Sequence, residues 1–218
     1  MNIVITGASS GIGLELARQL SARGEKVFVV CRKSTPELRE ISVEILEGID
    51  LTESGLEEKL KIYFKDLKID WLINNAGVFG DDHLGVLDPS ELRSQFEVNA
   101  IAPLRVTQAL LPNLSRGSKI AMVTSQMGSI TETSGGYYAY RMSKAALNMA
   151  GKNLALDLNP KGISTILLHP GYVKTKMTGF HGEITPETSA KGLITLIDQL
   201  TLENSGSYWH SNGRKLPW

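Results

Sequence analysis

Disulfide chemistry, thiolate metal centres and membrane-spanning segments are all missing from this sequence. It holds one cysteine, Cys31, which excludes an internal disulfide and any multi-cysteine metal site and suits a reducing compartment. No run approaches the roughly 20 apolar residues that cross a bilayer. The opening Met1-Asn2-Ile3-Val4-Ile5-Thr6-Gly7 lacks the basic region and long apolar stretch of a secretory signal, so a cytoplasmic location is expected. An excess of either charge is also absent: 23 Lys and Arg stand against 23 Asp and Glu. No general field then draws the chain to nucleic acid or to an anionic membrane, and a small, roughly neutral ligand fits better. Internal repeats, low-complexity tracts and linkers are lacking too, so the chain is expected to form one domain over 1–218.

What is present is an alternation of short β-rich runs with longer segments of helical period. Strands are expected at 2–6, 26–31, 43–46, 70–73, 119–124, 164–168 and 207–210. Helices are expected at 11–23, 53–65, 89–111, 138–158 and 186–200, with only a short one at 36–40. The central strands are apolar nearly throughout, as strands covered on both faces must be. This order implies an α/β fold, a Rossmann-type doubly wound parallel sheet with helices on both faces. Ligands of such a sheet bind beyond the carboxyl ends of the strands, so the loops after Thr6, Cys31, Glu47, Ile73, Thr124 and Leu168 are where chemistry is expected.

The first of these loops reads Thr6-Gly7-Ala8-Ser9-Ser10-Gly11-Ile12-Gly13, between a strand and a helix. Glycine allows a sharp turn and close backbone approach, and the free N–H groups of the helix start favour a pyrophosphate. The spacing is G-x-x-x-G-x-G, and by itself it is equally the spacing of a tight turn. After the second strand stand Arg32 and Lys33, with no acid where a carboxylate would hold a ribose 2′-hydroxyl. Two cations there suit a 2′-phosphate, which favours NADP(H) over NAD(H). Asp50 and Leu51 follow the third strand, where an adenine would lie. Asn75, Ala76 and Gly77 follow the fourth, where small residues let the chain pass under a ribose and asparagine side chains brace the loop.

Ser125 closes the fifth strand, and Tyr140 and Lys144 lie on the next helix. Four residues apart, the phenol and the ammonium project from one helix face. A neighbouring cation is expected to lower the phenol pKa and make it a workable acid, while Ser125 holds the substrate oxygen. Four residues after Tyr137 stands Arg141 and four after Tyr138 stands Met142, so only Tyr140 has a lysine at this spacing.

With these elements in this order the sequence resembles the short-chain dehydrogenase/reductase family over essentially its whole length. The resemblance implies an NADP(H)-dependent oxidoreductase that reduces a ketone, aldehyde or quinone to an alcohol, with Tyr140 as proton donor. It adds Asn99 to the catalytic group, as the holder of a water that relays protons through Lys144, and gives Lys144 a second role at the nicotinamide ribose. It also places Pro170, Gly171, Val173 and Thr175 around the nicotinamide. Residues 135–144 and the closing 213–218 are similar to the sniffer and C-factor group of carbonyl reductases, in which a dinucleotide-binding sensing or signalling role with little turnover is the alternative. A homodimer or homotetramer is implied, with a seam on 89–111 and 138–158.

Two departures from the family stand out. Ser125 and Tyr140 are set more widely apart, so the loop between them is expected to bulge. The segment after Pro170 is short, implying an open pocket that Phe79, Gln126, Met127, Tyr172, Met177 and Phe180 are placed to line. His169 reads as a structural imidazole, the spacing of Met142 and Met149 reads as packing, and Trp209 and Trp218 are expected to hold down the C-terminal segment or meet a neighbouring subunit.

Overall fold

Strands that are apolar on both faces have to be covered on both faces, and the computed structural model, which describes residues 1–218, meets that demand with one sheet between two helical layers. The strands are β1 (Asn2–Thr6), β2 (Lys26–Val30), β3 (Glu44–Leu46), β4 (Ile69–Asn74), β5 (Leu114–Val123), β6 (Ser164–His169) and β7 (Ser207–His210). The helices are α1 (Gly11–Ala22), α2 (Pro36–Arg39), α3 (Leu56–Tyr63), α4 (Pro89–Phe96), α5 (Ala102–Leu110), α6 (Tyr138–Leu158) and α7 (Pro186–Asp198). Strand order is β3-β2-β1-β4-β5-β6-β7 with every pairing parallel. The order reverses between β1 and β4, so the loops after Thr6 and Asn74 face each other across the switch point.

Successive strand residues point to opposite faces and feed two cores. Ile3, Ile5, Val27, Val29, Trp71 and Ile73 pack with Leu16 and Leu20 of α1 and Leu193 and Ile197 of α7. Val4, Phe28, Val30, Leu72, Ile120 and Met122 pack with Leu56 and Leu60 of α3, Val106 and Leu110 of α5, and Leu147 of α6. No helix is long and apolar enough to cross a membrane.

The expected elements hold their places, with four differences. The helix expected over 89–111 is split by a π-helical turn at Glu97–Ile101, which inserts a residue and turns Asn99 inward, 0% exposed. The helix expected from 53 starts at Leu56, because Gly55 before it sits in the left-handed region at φ 83°. β5 begins at Leu114, well before 119, where Leu114 pairs with Ile69 across a register shift in β4. Met142 and Met149 do not pack inward: they are 49% and 64% exposed, on the outer side of α6.

One polar contact ties the α3–α5 layer to the strand-end loops. Arg105 on α5 grips Glu57 on α3 with Nε at 2.6 Å and Nη2 at 2.9 Å, and Nη2 also donates to the Glu53 carbonyl at 2.8 Å. The Arg105 fork holds the Glu57 carboxyl down to about 2. A carboxylate depressed on folding contributes stability above its unfolded value near 4.5, and that contribution fades as pH falls toward 2. Glu57→Gln is therefore expected to cost on the order of 0.5–1 kcal/mol at neutral pH, screening included. Denaturant unfolding should show the gap between variant and unaltered protein closing as pH drops from 5 toward about 2; a gap independent of pH would contradict this assignment.

Candidate active site

The glycine loop after β1 and the asparagine loop after β4 are laced together. Asn75 Nδ2 donates to the carbonyls of Thr6 at 3.1 Å and Gly7 at 2.9 Å, while Thr6 Oγ1 accepts from the N–H groups of Asn75 and Ala76. The approach is so close that a Cβ on Gly7 would lie 2.6 Å from Ala76 Cα, and one on Gly13 2.5 Å from Asn75 Nδ2. Ser10 precedes α1 without capping it and no acid occupies its first turn, which leaves the helix start open to an anion. Ser9 Oγ donates to the Lys33 carbonyl at 2.6 Å and Thr35 Oγ1 to the Ser9 carbonyl at 2.9 Å, fastening the basic loop to the glycine loop. Arg32 and Lys33 are exposed, and neither pairs with a carboxylate. Asp50 is turned into its own loop, accepting from the N–H and hydroxyl of Thr52, which lower its pKa.

These loops enclose a cavity of about 650 Å³ along the strand ends. Gly7, Ser9, Ser10, Gly11, Ile12, Gly13, Arg32, Lys33, Asp50, Leu51, Asn75, Ala76, Gly77, Tyr140, Lys144, Pro170 and Thr175 all line it. Gly171 and Val173 do not; they face a second cavity of about 630 Å³. Sequence reasoning missed Val30, Cys31, Ile49, Thr52, Val78, Val98, Val123, Thr124 and Lys176 in the first cavity. Lys176, two residues beyond Lys174 in a short polar segment, carries no motif that could have pointed to it.

Tyr140, 9% exposed, stands on the wall common to both cavities, and Ser125 lines the second. Ser125 Oγ accepts from the Met127 N–H at 3.2 Å, so its own hydrogen can be turned toward Tyr140. Lys144, 4% exposed, donates to the Val123 carbonyl at 3.0 Å, and its Nζ lies 5.7 Å from the Tyr140 ring centroid. Burial pushes the Tyr140 phenol up to about 12, opposed by a hydrogen bond with Ser125, and burial pulls the Lys144 ammonium down to about 8. The expected lowering of the phenol by its lysine neighbour is not found in this structure: loss of solvent raises it, and the group that lowers it is Ser125. Asn99 does not reach into either cavity: its Oδ1 accepts from the Val78 N–H, and its Nδ2 donates to the Val78 carbonyl and to Ser143 Oγ.

The remaining walls come from three loops. Phe79 lies edge-on to Tyr140 at 4.9 Å and beside Tyr137 at 5.3 Å. The wide loop between Ser125 and Tyr140 does bulge, running through left-handed backbone at Gly135, Gly136 and Tyr137 before α6 begins. Residues after Pro170 fold into a short strap in which Val173 pairs with Ile184, carrying Tyr172 and Met177 into the second cavity. Gln126 and Met127 line it too, whereas Phe180 lies outside, 70% exposed. His169 also lines it, with Nδ1 unpartnered and the imidazole held near 3 by burial, then by His210, Arg214 and Lys144. Trp218 stacks on Tyr208 and Trp209 packs on the core, so both hold the C-terminal segment down.

With this geometry in place, comparison with known proteins is direct. The short chain dehydrogenase family model matches residues 1–184, and the chain belongs to that family of oxidoreductases. It is 42% identical over 223 residues, 99% of either chain, to 1-hydroxy-2-glutathionyl-2-methyl-3-butene dehydrogenase of Rhodococcus sp. (strain AD45). It is 47% identical over 154 residues to C-signal of Myxococcus xanthus, covering 69% of this chain and 93% of that one. The carbonyl reductase Sniffer of D. melanogaster superposes with a TM-score of 0.91 at 31% identity, covering 100% of this chain and 99% of the other. A carbonyl reductase from Pseudomonas aeruginosa PAO1 in complex with NADP does so at 0.88 and 34%, with the same coverage. The resemblance to the sniffer and C-factor group is thereby borne out.

The lacing of the two loops leaves no room for a side chain at Gly13, where an added methyl meets Asn75, Gly7 and Ala8. Gly13→Ala is expected to lower the unfolding free energy by about 1–3 kcal/mol. An unchanged denaturant midpoint would show that these loops are not pressed together.

Proposed function

We propose that the first cavity binds NADP(H) and that the chain reduces a ketone, aldehyde or quinone in the second, as a single domain over 1–218. The observation that carries this reading is the position of Tyr140 on the wall shared by the two cavities, with Ser125 and Lys144 against it. The residues fit the cofactor. The uncapped start of α1 and the glycine loop suit a pyrophosphate, Arg32 and Lys33 suit a 2′-phosphate, Asp50 and Leu51 flank the adenine end, and Pro170, Gly171, Val173 and Thr175 flank the nicotinamide end. A relative solved with NADP supports the same choice.

When bound, the reduced nicotinamide supplies a hydride to the carbonyl carbon. Tyr140 delivers its phenolic proton to the carbonyl oxygen, so an alcohol and the oxidised cofactor result. A phenol held near 12 keeps its proton at neutral pH until the oxygen beside it becomes a strong base, which suits a donor. Ser125 turns its hydroxyl hydrogen to the same oxygen and fixes it beside Tyr140. Lys144, with an ammonium weakened by burial, restores the phenol's proton and holds the nicotinamide ribose. Asn99 serves the group by clamping the Gly77–Val78 backbone beside Lys144. Met142, Met149 and Leu156, seven residues apart and all exposed on α6, support association into a homodimer or homotetramer.

Tyr140→Phe should abolish carbonyl reduction, by at least about a thousandfold in kcat, while NADPH affinity measured by fluorescence titration stays nearly the same. Reduction by the variant at the unaltered rate would remove Tyr140 from the chemistry. NADPH binding by the unaltered protein with no turnover across aldehydes, ketones and quinones would instead favour a sensing or signalling role.

Arg32→Asp should reverse cofactor preference, because an acid accepts from ribose hydroxyls and repels the 2′-phosphate. Equal dissociation constants for NADPH and NADH in the unaltered protein would contradict the assignment.

A further inference from the structure

Four cationic side chains line the first cavity: Arg32, Lys33, Lys144 and Lys176. Three of them are accounted for above. Arg32 and Lys33 follow β2 and suit the 2′-phosphate, and Lys144 is buried with its ammonium on the Val123 carbonyl. Lys176 is left over. It is exposed, pairs with no carboxylate, and lines the first cavity without lining the second. Lys174, two residues earlier and also exposed, lines neither.

Thr175 sets the place of Lys176 along the cavity. A Cβ on Gly11 would lie 3.3 Å from Thr175 Cγ2, so the strap after Pro170 rests at this point on the first residue of α1. The turn that carries Lys176 is held there by its own hydrogen bonds. Thr178 Oγ1 accepts from the Thr175 N–H at 3.1 Å and donates to the Val173 carbonyl at 2.8 Å, and the Phe180 N–H donates to the Thr175 carbonyl at 2.7 Å. A fixed turn thus presents a long, unpaired ammonium at the glycine-loop end of α1. The diphosphate of a dinucleotide bears a negative charge on each phosphorus, whereas a helix start offers only roughly half a positive charge. We propose that Lys176 pairs with the cofactor's diphosphate, supplying from the strap the charge that α1 leaves unmatched. An ammonium on a flexible stem acts there as a point charge, so the pairing depends on charge more than on exact geometry. This inference rests on the reading of the first cavity as the cofactor site. It adds a cation that serves NADPH and NADH alike, in contrast to Arg32.

Fluorescence titration with NADPH and with NADH, in the absence of any substrate, isolates this pairing. Lys176→Met should raise both dissociation constants by the same factor, about fivefold, as an exposed charge pair allows. Lys176→Glu should raise them further, and Lys176→Arg should leave them nearly unchanged. Lys174→Met makes the same change of charge two residues away and should alter neither. Arg32→Asp, by contrast, should change the ratio of the two constants, which Lys176→Met leaves as it was. Competition by 2′-AMP, which has the 2′-phosphate and no diphosphate, should give the same inhibition constant in Lys176→Met as in the unaltered protein, and so also reports that the variant is folded. Unchanged NADPH and NADH affinity in Lys176→Met, or an equal loss in Lys174→Met, would overturn the proposal and leave the cofactor assignment standing. A loss confined to NADPH would overturn it as well, by moving Lys176 to the 2′-phosphate. Binding of neither dinucleotide by the unaltered protein would overturn the cofactor assignment and this inference with it.

Discussion

The close seating of α6 against the carboxyl ends of β4, β5 and β6 is the constraint on which the rest of the site depends. Three glycines permit it. A Cβ on Gly128 would lie 2.8 Å from the Lys144 carbonyl carbon, and one on Gly151 2.9 Å from Leu167 Cδ2 on β6. A Cβ on Gly77 would crowd Asn99 Oδ1 at 3.2 Å with Lys144 Nζ just behind at 3.5 Å. Only with these faces bare can a lysine near the start of a 21-residue helix reach a strand carbonyl and stay buried. The lysine then sits under the tyrosine one turn before it, and the two cavities meet at that tyrosine.

The same seating sets the electrostatics. A buried ammonium and a buried phenol each favour the neutral form, so the phenol rises to about 12 and the lysine falls to about 8, and the two move apart. No carboxylate stands beside Lys144 to hold it charged; its hydrogen-bond partner is the Val123 carbonyl. His169, nearby and depressed to about 3, remains neutral and adds no competing acid near neutral pH. In the proposed reaction Tyr140 would be the donor by position, because it lines the second cavity and Lys144 does not, although the more acidic proton is on Lys144 behind it.

Much of this was legible in the chain because it depends on short spacings. Strand and helix alternate with clear periods, the glycine loop falls directly between β1 and α1, and one lysine at i+4 singles out Tyr140 from Tyr137 and Tyr138. What was not legible arises from contacts between distant segments. Asp82 illustrates this: its carboxylate accepts from the Ala139 N–H, 57 residues on, and so caps the helix that Tyr137, in left-handed backbone, leaves uncapped. Nothing in Gly80-Asp81-Asp82-His83 distinguishes that carboxylate from a solvated loop acid. The π-helical turn was equally hidden, since one inserted residue barely disturbs the apolar period of 89–111 yet decides that Asn99 faces Val78 rather than solvent. The outward-facing Met142 and Met149 had the period of packing residues but lie on the side of α6 away from the sheet.

The C-terminal segment shows how far such dependence extends. Tyr208, at the centre of β7, donates its hydroxyl to the Ser125 carbonyl and is stacked from outside by Trp218. The Trp218 main-chain oxygen in turn accepts from the Thr131 N–H, the Thr131 hydroxyl and the Ser129 hydroxyl, while Arg214 reaches Glu132 and Gln126. The loop that carries Ser125 at one end and precedes Tyr140 at the other is thus clamped by residues 82 or more positions later. Its own backbone could not hold it, since it runs through left-handed conformations at Gly135, Gly136 and Tyr137 and joins no strand. A wider spacing between Ser125 and Tyr140 is accommodated because an edge strand and its aromatic stack supply the support that a tighter loop would find within itself.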